Sequence, residues 1–159
     1  MTEVLGVDPG LGATGFSLLN QVKNKTSLIA YGLIKPPIKF TIEKRLNYLF
    51  VEISKVIDRF NPSTLAIEDA FYSKNVKSAM RLGQARGVII LAAAQANIDV
   101  YEYAPRKVKQ AVCGNGAASK EQIQYMVMNI LNLEKKPKSL DISDAMAVGI
   151  CYLNELRIK

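Results

Sequence analysis

The sequence predicts an α/β fold in which a mixed five-stranded sheet, with elements in the order βββαβαβ, is flanked by helices. Three short apolar segments separated by polar turns open the chain, a helical repeat of apolar residues follows, and two more apolar segments each come after a helix-forming stretch. The chain has 159 residues, 49% of them hydrophobic, which is enough for a domain with a substantial core. Since no linker or internal repeat divides it, we expect residues 1–159 to form a single domain.

The first three strands are predicted at residues 3–8, 13–19 and 27–34. Pro9 opens a turn through which a strand cannot continue, and a polar stretch at residues 20–25 separates the second strand from the third. Because both connections are short, the three strands should form an antiparallel meander.

A helix is predicted at residues 41–60, where apolar side chains recur at helical spacing until Asn61 and Pro62 stop it. The fourth strand, residues 64–68, repeats the pattern of the first, because it is a short apolar run that ends in a carboxylate. A right-handed crossover through the helix would place the fourth strand parallel to the first and beside it.

The second helix is predicted at residues 76–96, and its segment 87–94 is apolar on nearly all sides. Such a helix must be covered on more than one side, so we expect the same helix of a second copy to pack against it in a two-fold homodimer. In the alternative, the later helices at residues 121–131 and 141–156 cover it and the protein is a monomer.

The remaining elements are a strand and three helices. A fifth strand is predicted at residues 98–103, and Pro105 begins a short basic helix. Ser119 and Gln122 have the spacing of a capping box at the start of the next helix, and a last helix covers residues 141 to about 157.

Composition narrows the chemistry that is available. The chain contains no histidine, which excludes serine triads and histidine-ligated zinc sites. Cys113 and Cys151 are too few for a disulfide framework and are typical of a reducing compartment. No stretch is apolar for long enough to cross a membrane, so we expect a cytoplasmic protein without membrane contact. The formal net charge of +7 indicates an anionic partner, most commonly nucleic acid.

Four acidic residues are the candidate catalytic groups. Asp8 and Glu68 end two strands that we expect to be parallel neighbours, and open α/β sheets place their sites at the carboxyl ends of strands. Asp141 and Asp144 are spaced to share one face of the last helix. Four carboxylates would repel one another unless cations held them, and their hard oxygens suit Mg²⁺ or Mn²⁺. The pattern therefore predicts two divalent ions in one site and a nuclease that cleaves phosphodiester bonds.

Each of these acids has a simpler interpretation when it is taken alone. Asp8 could begin a turn before Pro9, and Asp141 and Asp144 could be acids that are favoured at a helix N-terminus. Glu68 could form a salt bridge at a sheet edge. The convergence of all four acids is what favours a metal site.

Six short segments, in order across nearly the whole chain, carry a family resemblance. They are residues 6–10 (GVDPG), 66–68 (AIE), 74–75 (KN), 82–87 (LGQARG), 108–110 (VKQ) and 141–147 (DISDAMA). Through these segments the chain resembles the RuvC family of Holliday-junction resolvases. LGQARG and the Asp-x-x-Asp-Ala pattern are the most specific of them.

The resemblance implies an RNase H-like fold, a homodimer, and Mg²⁺-dependent nicking of two opposed strands at a four-way DNA junction. It also implies a branch-migration complex as a partner. The catalytic and metal-binding acids of the family match Asp8, Glu68, Asp141 and Asp144, the same four residues as above. One departure is Asp69, where relatives often have an amide.

The candidate DNA-binding residues follow from the resemblance and from the basic charge of the chain. The base-contacting aromatic residue of the family matches Phe71, which we expect to stack on an unpaired base instead of folding back onto the core. The important basic positions of the family match Lys109 and Lys120. The full set is Phe71, Lys74, Asn75, Lys77, Arg81, Arg106, Lys107, Lys109 and Lys120, of which several are expected to be ordinary surface residues.

Three other functions compete with this one. Asp8 with Gly10, Gly12 and Gly15 also resembles the first phosphate loop of actin-like and sugar-kinase ATPases, but those folds need a second domain, for which 159 residues leave no room. Another RNase H-like nuclease, such as a ribonuclease on RNA–DNA hybrids, would share the metal site and differ in substrate. A junction-binding protein without cleavage is disfavoured because all four acids are present.

Overall fold

A five-stranded mixed sheet lies at the centre of the protein, in a computed structural model that describes residues 1–69 and 75–159. Its strands are β1 (Thr2–Asp8), β2 (Thr14–Val22), β3 (Lys25–Ile34), β4 (Thr64–Glu68) and β5 (Asp99–Tyr103). They are ordered β3-β2-β1-β4-β5, with β1, β2 and β3 antiparallel and β4 parallel to both β1 and β5. The predicted meander and the parallel pairing of the first and fourth strands are confirmed.

Helices cover both faces of this sheet. Within the described ranges they are α1 (Ile42–Phe60), α2 (Val76–Gln95), α3 (Pro105–Cys113), α4 (Lys120–Leu131) and α5 (Leu140–Ile158). Side chains of β1 alternate between two layers, since Leu5 and Val7 pack with α1 and α2, whereas Val4 packs with α3, α4 and α5. In the described part of the chain, no helix combines the length and the apolar character that a membrane span requires.

The hairpin between β2 and β3 is longer than the sequence predicts. We expected a turn at residues 20–25, but β2 continues to Val22 and β3 starts at Lys25. Lys23 and Asn24 both have positive φ angles, 46° and 65°, which are typical of a two-residue type I′ turn. The polar composition of this stretch therefore reflects an exposed end of the ladder and not a long loop.

Glycine residues allow α5 to lie directly on the sheet. A Cβ atom on Gly6 of β1 would collide with the main-chain oxygen of Ala145 and would lie 2.9 Å from the amide nitrogen of Gly149. The Ser17 hydroxyl donates a hydrogen bond of 3.1 Å to the same Ala145 oxygen. Nearly every residue of α5 between positions 142 and 153 is buried, so α5 is the central helix of its layer.

Helix α2, in contrast, is covered on one side. Its buried residues, which include Ala85 and Ile89, pack with α1 and the sheet. Helices α4 and α5 pack on the other face of the sheet, so the alternative in which they cover α2 is wrong. Val76, Met80 and Leu91 remain 71%, 63% and 51% exposed, which leaves an apolar surface along the helix.

Candidate active site

Asp8 and Glu68 lie side by side at one edge of the sheet. Each is the last residue of its strand, and the parallel register of β1 and β4 places Val7 opposite Ile67. Both side chains line one cleft. The crossover through α1 is what makes these two strands neighbours, so residues that are 60 positions apart meet at the same edge.

Helix α5 brings Asp141 and Asp144 to this edge. Gly15 of β2 has no side chain, and a Cβ atom there would collide with the main-chain carbonyl of Asp141, so the first turn of α5 rests on the sheet. The Ser139 hydroxyl caps the helix by accepting a hydrogen bond of 3.1 Å from the Asp141 amide. One carboxylate oxygen from each of Asp8, Asp141 and Asp144 lies within 4.8 Å of the other two. We refer to these three residues and Glu68 as the acid cluster.

Burial and mutual repulsion disfavour the ionised forms of the acid cluster. Burial, with repulsion from the other three acids, raises the pKa of Asp8 to about 9. Burial is also the largest cause of the raised pKa values of Glu68 and Asp144. Because an adjacent positive charge favours the ionised carboxylate, this arrangement is suited to binding a cation.

Two lysines face the acid cluster from α3 and α4. Lys120 Nζ lies 3.5 Å from Asp144 Oδ2, and attraction to Asp144 raises the pKa of this lysine. Lys109 lines the same cleft, which has a volume of about 210 Å³ and also includes Asp8 and Glu68. The cleft therefore presents both negative charge for a cation and positive charge for an anionic substrate.

The donors of the acid cluster fit Mg²⁺ or Mn²⁺. They are carboxylate oxygens, the ligands that hard divalent cations prefer. Among the described residues that line the cleft, none offers the sulfur or imidazole nitrogen that favours zinc. A water molecule occupies about 30 Å³ in the liquid, so the cleft has room for ions that keep part of their hydration shell.

Four of the predicted DNA-contacting residues lie between positions 71 and 77, just before α2 or in its first turn. Phe71 and Lys74 lie outside the described residues. Asn75 is the N-cap of α2, where its side chain accepts a hydrogen bond of 3.2 Å from the Ser78 amide. Lys77 is exposed in the first turn of the same helix.

The other predicted basic residues lie on α2 and α3. Arg81 is half-buried on α2. Arg106 is exposed in the first turn of α3, and its side chain lies against Gly116. Lys107 instead pairs with Glu155, at 3.6 Å, which explains its position without DNA.

Arg86, which lies inside the LGQARG segment, makes contacts that the sequence did not predict. Its Nε donates a hydrogen bond of 3.1 Å to the main-chain oxygen of Glu68, and its Nη2 pairs with Asp69 and Glu102. The available signal was its spacing of three residues from Ile89, which is buried and places Arg86 toward the inner side of α2.

Comparison with known proteins decides the family. The family profile described as crossover junction endodeoxyribonuclease RuvC matches residues 4–152. The chain belongs to the RuvC family. A relative of that name from Halothermothrix orenii is 46% identical over 155 residues, which cover 98% of this chain and 94% of the relative.

Solved structures of RuvC proteins and other resolvases have the same architecture. Thermus thermophilus RuvC in complex with a Holliday junction substrate aligns with a TM-score of 0.93 and 30% identity, covering 99% of this chain and 96% of that one. The yeast mitochondrial Holliday junction resolvase has a TM-score of 0.70 at 11% identity over 96% of this chain and 79% of that one, a likeness of fold alone.

Membership in the RuvC family confirms the resemblance and the RNase H-like α/β fold. It makes the chain an enzyme of the crossover junction endodeoxyribonuclease class. This supports the nuclease over the ATP-binding module that the glycines after Asp8 suggested.

Proposed function

We propose that this RuvC-family enzyme resolves four-way DNA junctions by paired, metal-dependent nicks in DNA recombination and repair. The observation that carries the proposal is the convergence of four acids from β1, β4 and α5 in a cleft that two lysines face. The relatives are named for this reaction, and the Thermus thermophilus protein was solved with a Holliday junction substrate.

The acid cluster is the proposed catalytic and metal-binding site. Asp8, Asp141 and Asp144 each offer an oxygen to a shared position, and Glu68 completes the set beside Asp8. Two Mg²⁺ ions, or Mn²⁺ in their place, would when bound activate a water molecule and stabilise the leaving oxygen of a phosphodiester. The four carboxylates neutralise the charge of such ions, and their attachment to packed strands and to α5 keeps them in a fixed arrangement.

Lys109 and Lys120 are the proposed contacts for the scissile phosphate. Both line the cleft, and the raised pKa of Lys120 keeps its ammonium group protonated at neutral pH. A fixed positive charge at this position stabilises the additional negative charge that develops on the phosphate in the transition state.

The proposed DNA contacts combine the two cleft lysines with residues that precede α2 in the sequence or lie on α2 and α3. The proposed set is Phe71, Lys74, Asn75, Arg81, Arg106, Lys109 and Lys120. Phe71 would stack on an unpaired base at the opened junction, a contact worth about 1–3 kcal/mol per base. The net charge of +7 supports a binding mode that is dominated by phosphate contacts.

A homodimer through α2 is the proposed assembly. Val76, Met80 and Leu91 leave apolar area exposed along this helix, and a Cβ atom added at Gly83 or Gly87 would meet no described atom within 4 Å apart from the adjoining residues and the local backbone of α2 itself. A second copy of the chain related by a two-fold axis would bury this surface. Such a dimer presents two acid clusters to the two opposed strands of a junction, which accounts for paired nicks.

Three further proposals concern the domain organisation, a protein partner and the location in the cell. We propose a single nuclease domain over residues 1–159, a branch-migration complex as a partner, and a cytoplasmic location.

Substitution of the acids tests the proposed site. Asp8→Asn, Glu68→Gln, Asp141→Asn and Asp144→Asn each remove one anionic ligand at nearly constant volume. We expect nicking of a synthetic four-way junction to fall at least about 100-fold, since loss of one charge-stabilising group has effects of that size. Junction binding without divalent ions should stay within about twofold of the unmodified protein.

The matched control is Asp99→Asn, at the opposite end of β5 from the acid cluster, which should leave nicking unchanged. Normal nicking by any two of the four variants would refute the site. Linear duplex and RNA–DNA hybrid are assayed beside the junction, each with and without Mg²⁺, and preferential cleavage of the hybrid would favour another RNase H-like nuclease.

A further inference from the structure

The peptide bond between Glu68 and Asp69 is held at both of its polar atoms. Its oxygen, on Glu68, accepts a hydrogen bond of 3.1 Å from Arg86 Nε. Its nitrogen, on Asp69, donates a hydrogen bond of 2.7 Å to the main-chain oxygen of Tyr103. The bond to Tyr103 extends the pairing of β4 with β5, whereas the bond from Arg86 comes from α2. This peptide cannot rotate without losing one of the two bonds.

The Arg86 guanidinium is itself held by two carboxylates beside this peptide. Nη2 lies 3.0 Å from Glu102 Oε2 and 3.3 Å from Asp69 Oδ1, although it aligns no hydrogen bond with a described residue. The side chain of Arg86 is only 12% exposed. A charge this deeply buried requires counterions, so Asp69 and Glu102 keep the guanidinium at the position from which Nε reaches Glu68.

We propose that Arg86 is a positioning residue for Glu68, with Asp69 and Glu102 as its counterions. Arg86 contacts the main-chain oxygen of Glu68 and two carboxylates outside the acid cluster. These contacts do not include the side chain of any proposed metal ligand. The β-ladder fixes the strand before Glu68, and Arg86 fixes the peptide after it. Together they set the direction in which the Glu68 side chain leaves β4 toward Asp8.

The inference also gives a role to Asp69. An aspartate here adds a second negative charge beside the Arg86 guanidinium. The inference rests on the proposed function in one respect, namely that Glu68 acts as a metal ligand.

A purely structural role for Arg86 makes a different prediction. If Arg86 only joined α2 to the sheet, its loss would lower the thermal stability of the fold and would not change the metal affinity of the folded protein. A positioning role predicts weaker metal binding by a protein that is still folded and still binds DNA.

The experiment measures Mn²⁺ binding to Arg86→Met and Arg86→Lys from the electron paramagnetic resonance signal of the Mn²⁺ that stays free in solution. We expect the dissociation constant for Mn²⁺ to rise at least about tenfold in both, the effect typical of residues that orient metal ligands. Lysine keeps the charge, but its three N–H donors share one nitrogen, which cannot span the Glu68 oxygen and the two carboxylates as the guanidinium fork does. Junction affinity in EDTA should stay within about twofold.

Arg45→Met is the matched control. Arg45 Nε also donates to a main-chain oxygen, that of Phe40 at 3.0 Å, but at the start of α1. This variant should bind Mn²⁺ as the unmodified protein does. Asp69→Asn removes one counterion and leaves the bond to Glu68, so we expect a smaller rise in the dissociation constant, of about two- to fivefold.

Unchanged Mn²⁺ affinity in folded Arg86→Lys would overturn the positioning role. If circular dichroism shows that both Arg86 variants are unfolded, Asp69→Asn takes their place, and an unchanged Mn²⁺ affinity in it would overturn the positioning role. The Asp69 side chain is 42% exposed, so we expect this variant to fold. Asp8→Asn separates this inference from the proposed function. Lost Mn²⁺ binding in Asp8→Asn with normal binding in Arg86→Lys removes only the positioning role, whereas normal binding in Asp8→Asn removes the metal site itself.

Discussion

Helices α5 and α2 pack on opposite faces of the same sheet, and they differ in how they are held. α5 is buried along most of its length and meets β1 main chain to main chain at Gly6. α2 buries one face through residues such as Ile89 and leaves Met80 and Leu91 exposed on the other. The helix that carries two of the four acids is thus fixed by its surroundings, whereas the helix that carries Arg86 has an exposed apolar surface.

The same substitution should have opposite effects in the two layers, and this is the largest effect that we expect. Gly6→Ala places a Cβ atom against the main chain of α5, which cannot move aside as a flexible side chain would, so we expect a loss of about 1–3 kcal/mol in the free energy of unfolding. Gly83→Ala adds a Cβ atom that meets no side chain among the described residues of its own chain, so at concentrations below those at which the proposed dimer forms it should stabilise α2 by up to about 1 kcal/mol.

Urea unfolding of both variants at one protein concentration measures the difference. If both substitutions changed the free energy of unfolding in the same direction, the proposed difference in packing between α5 and α2 would be wrong. Nicking by Gly6→Ala should fall as well, because a displaced α5 carries Asp141 and Asp144 away from Asp8.

A charge on the open surface of α2 tests whether that surface binds a second copy. Met80→Glu should raise the dissociation constant of the proposed dimer at least about tenfold, equivalent to about 1.4 kcal/mol, and should leave the fold of each chain unchanged. Sedimentation velocity over a range of concentrations gives the association state. Val51→Glu, at an exposed apolar position on α1, is the matched control and should not affect it. A monomer in the unmodified protein at micromolar concentration, with nicks still paired, would exclude the dimer from the mechanism.

The smallest effect concerns the far end of α5, where the hydroxyl of Tyr103 donates a hydrogen bond of 2.7 Å to Glu155 Oε2. This bond lowers the pKa of Glu155. A folded chain with a lowered carboxyl pKa binds fewer protons than the unfolded chain. The bond therefore stabilises the folded state fully above the ordinary glutamate pKa of about 4.3, and this stabilisation is lost as the pH falls through the lowered pKa. The effect should be small because Glu155 is one-third exposed and water screens its charge.

Tyr103→Phe should therefore lower the melting temperature slightly at pH 7, and the difference should disappear in acid. Calorimetry at several pH values between 7 and the acid range follows this difference. A difference that stays constant with pH would show that the hydroxyl contributes through packing and not through the ionised Glu155.

Local patterns were sufficient to predict the helices and strands and the placement of the acids. Apolar periodicity located α1, the capping pair of Ser119 and Gln122 located α4, and a rule of handedness placed β4 beside β1. Asp8 and Glu68 were predictable as neighbours because each ends a strand, and that reasoning requires no side-chain detail.

Features that depend on contacts between layers were not predictable. The apolar segment of α2 indicated that it needs cover, but its sequence did not show that α1 and the sheet supply one side and α5 none. The role of Arg86 depends on a hydrogen bond to a residue 18 positions away on another element, and local periodicity carries no information about such a pair. The two-residue turn at Lys23 and Asn24 depends on backbone angles that polar composition alone does not specify.

The closest contacts between the sheet and α5 involve atoms that every amino acid carries. Cβ atoms built on Gly6 of β1 and Gly15 of β2 would meet main-chain atoms of α5, and a Cβ atom built on Gly149 would lie 3.8 Å from the Gly6 Cα atom. We therefore expect the distance between the strand acids and the helix acids to depend more on these three glycines than on which apolar side chains fill the core. Exchange of apolar core residues should leave that distance largely unchanged as long as the glycines are retained.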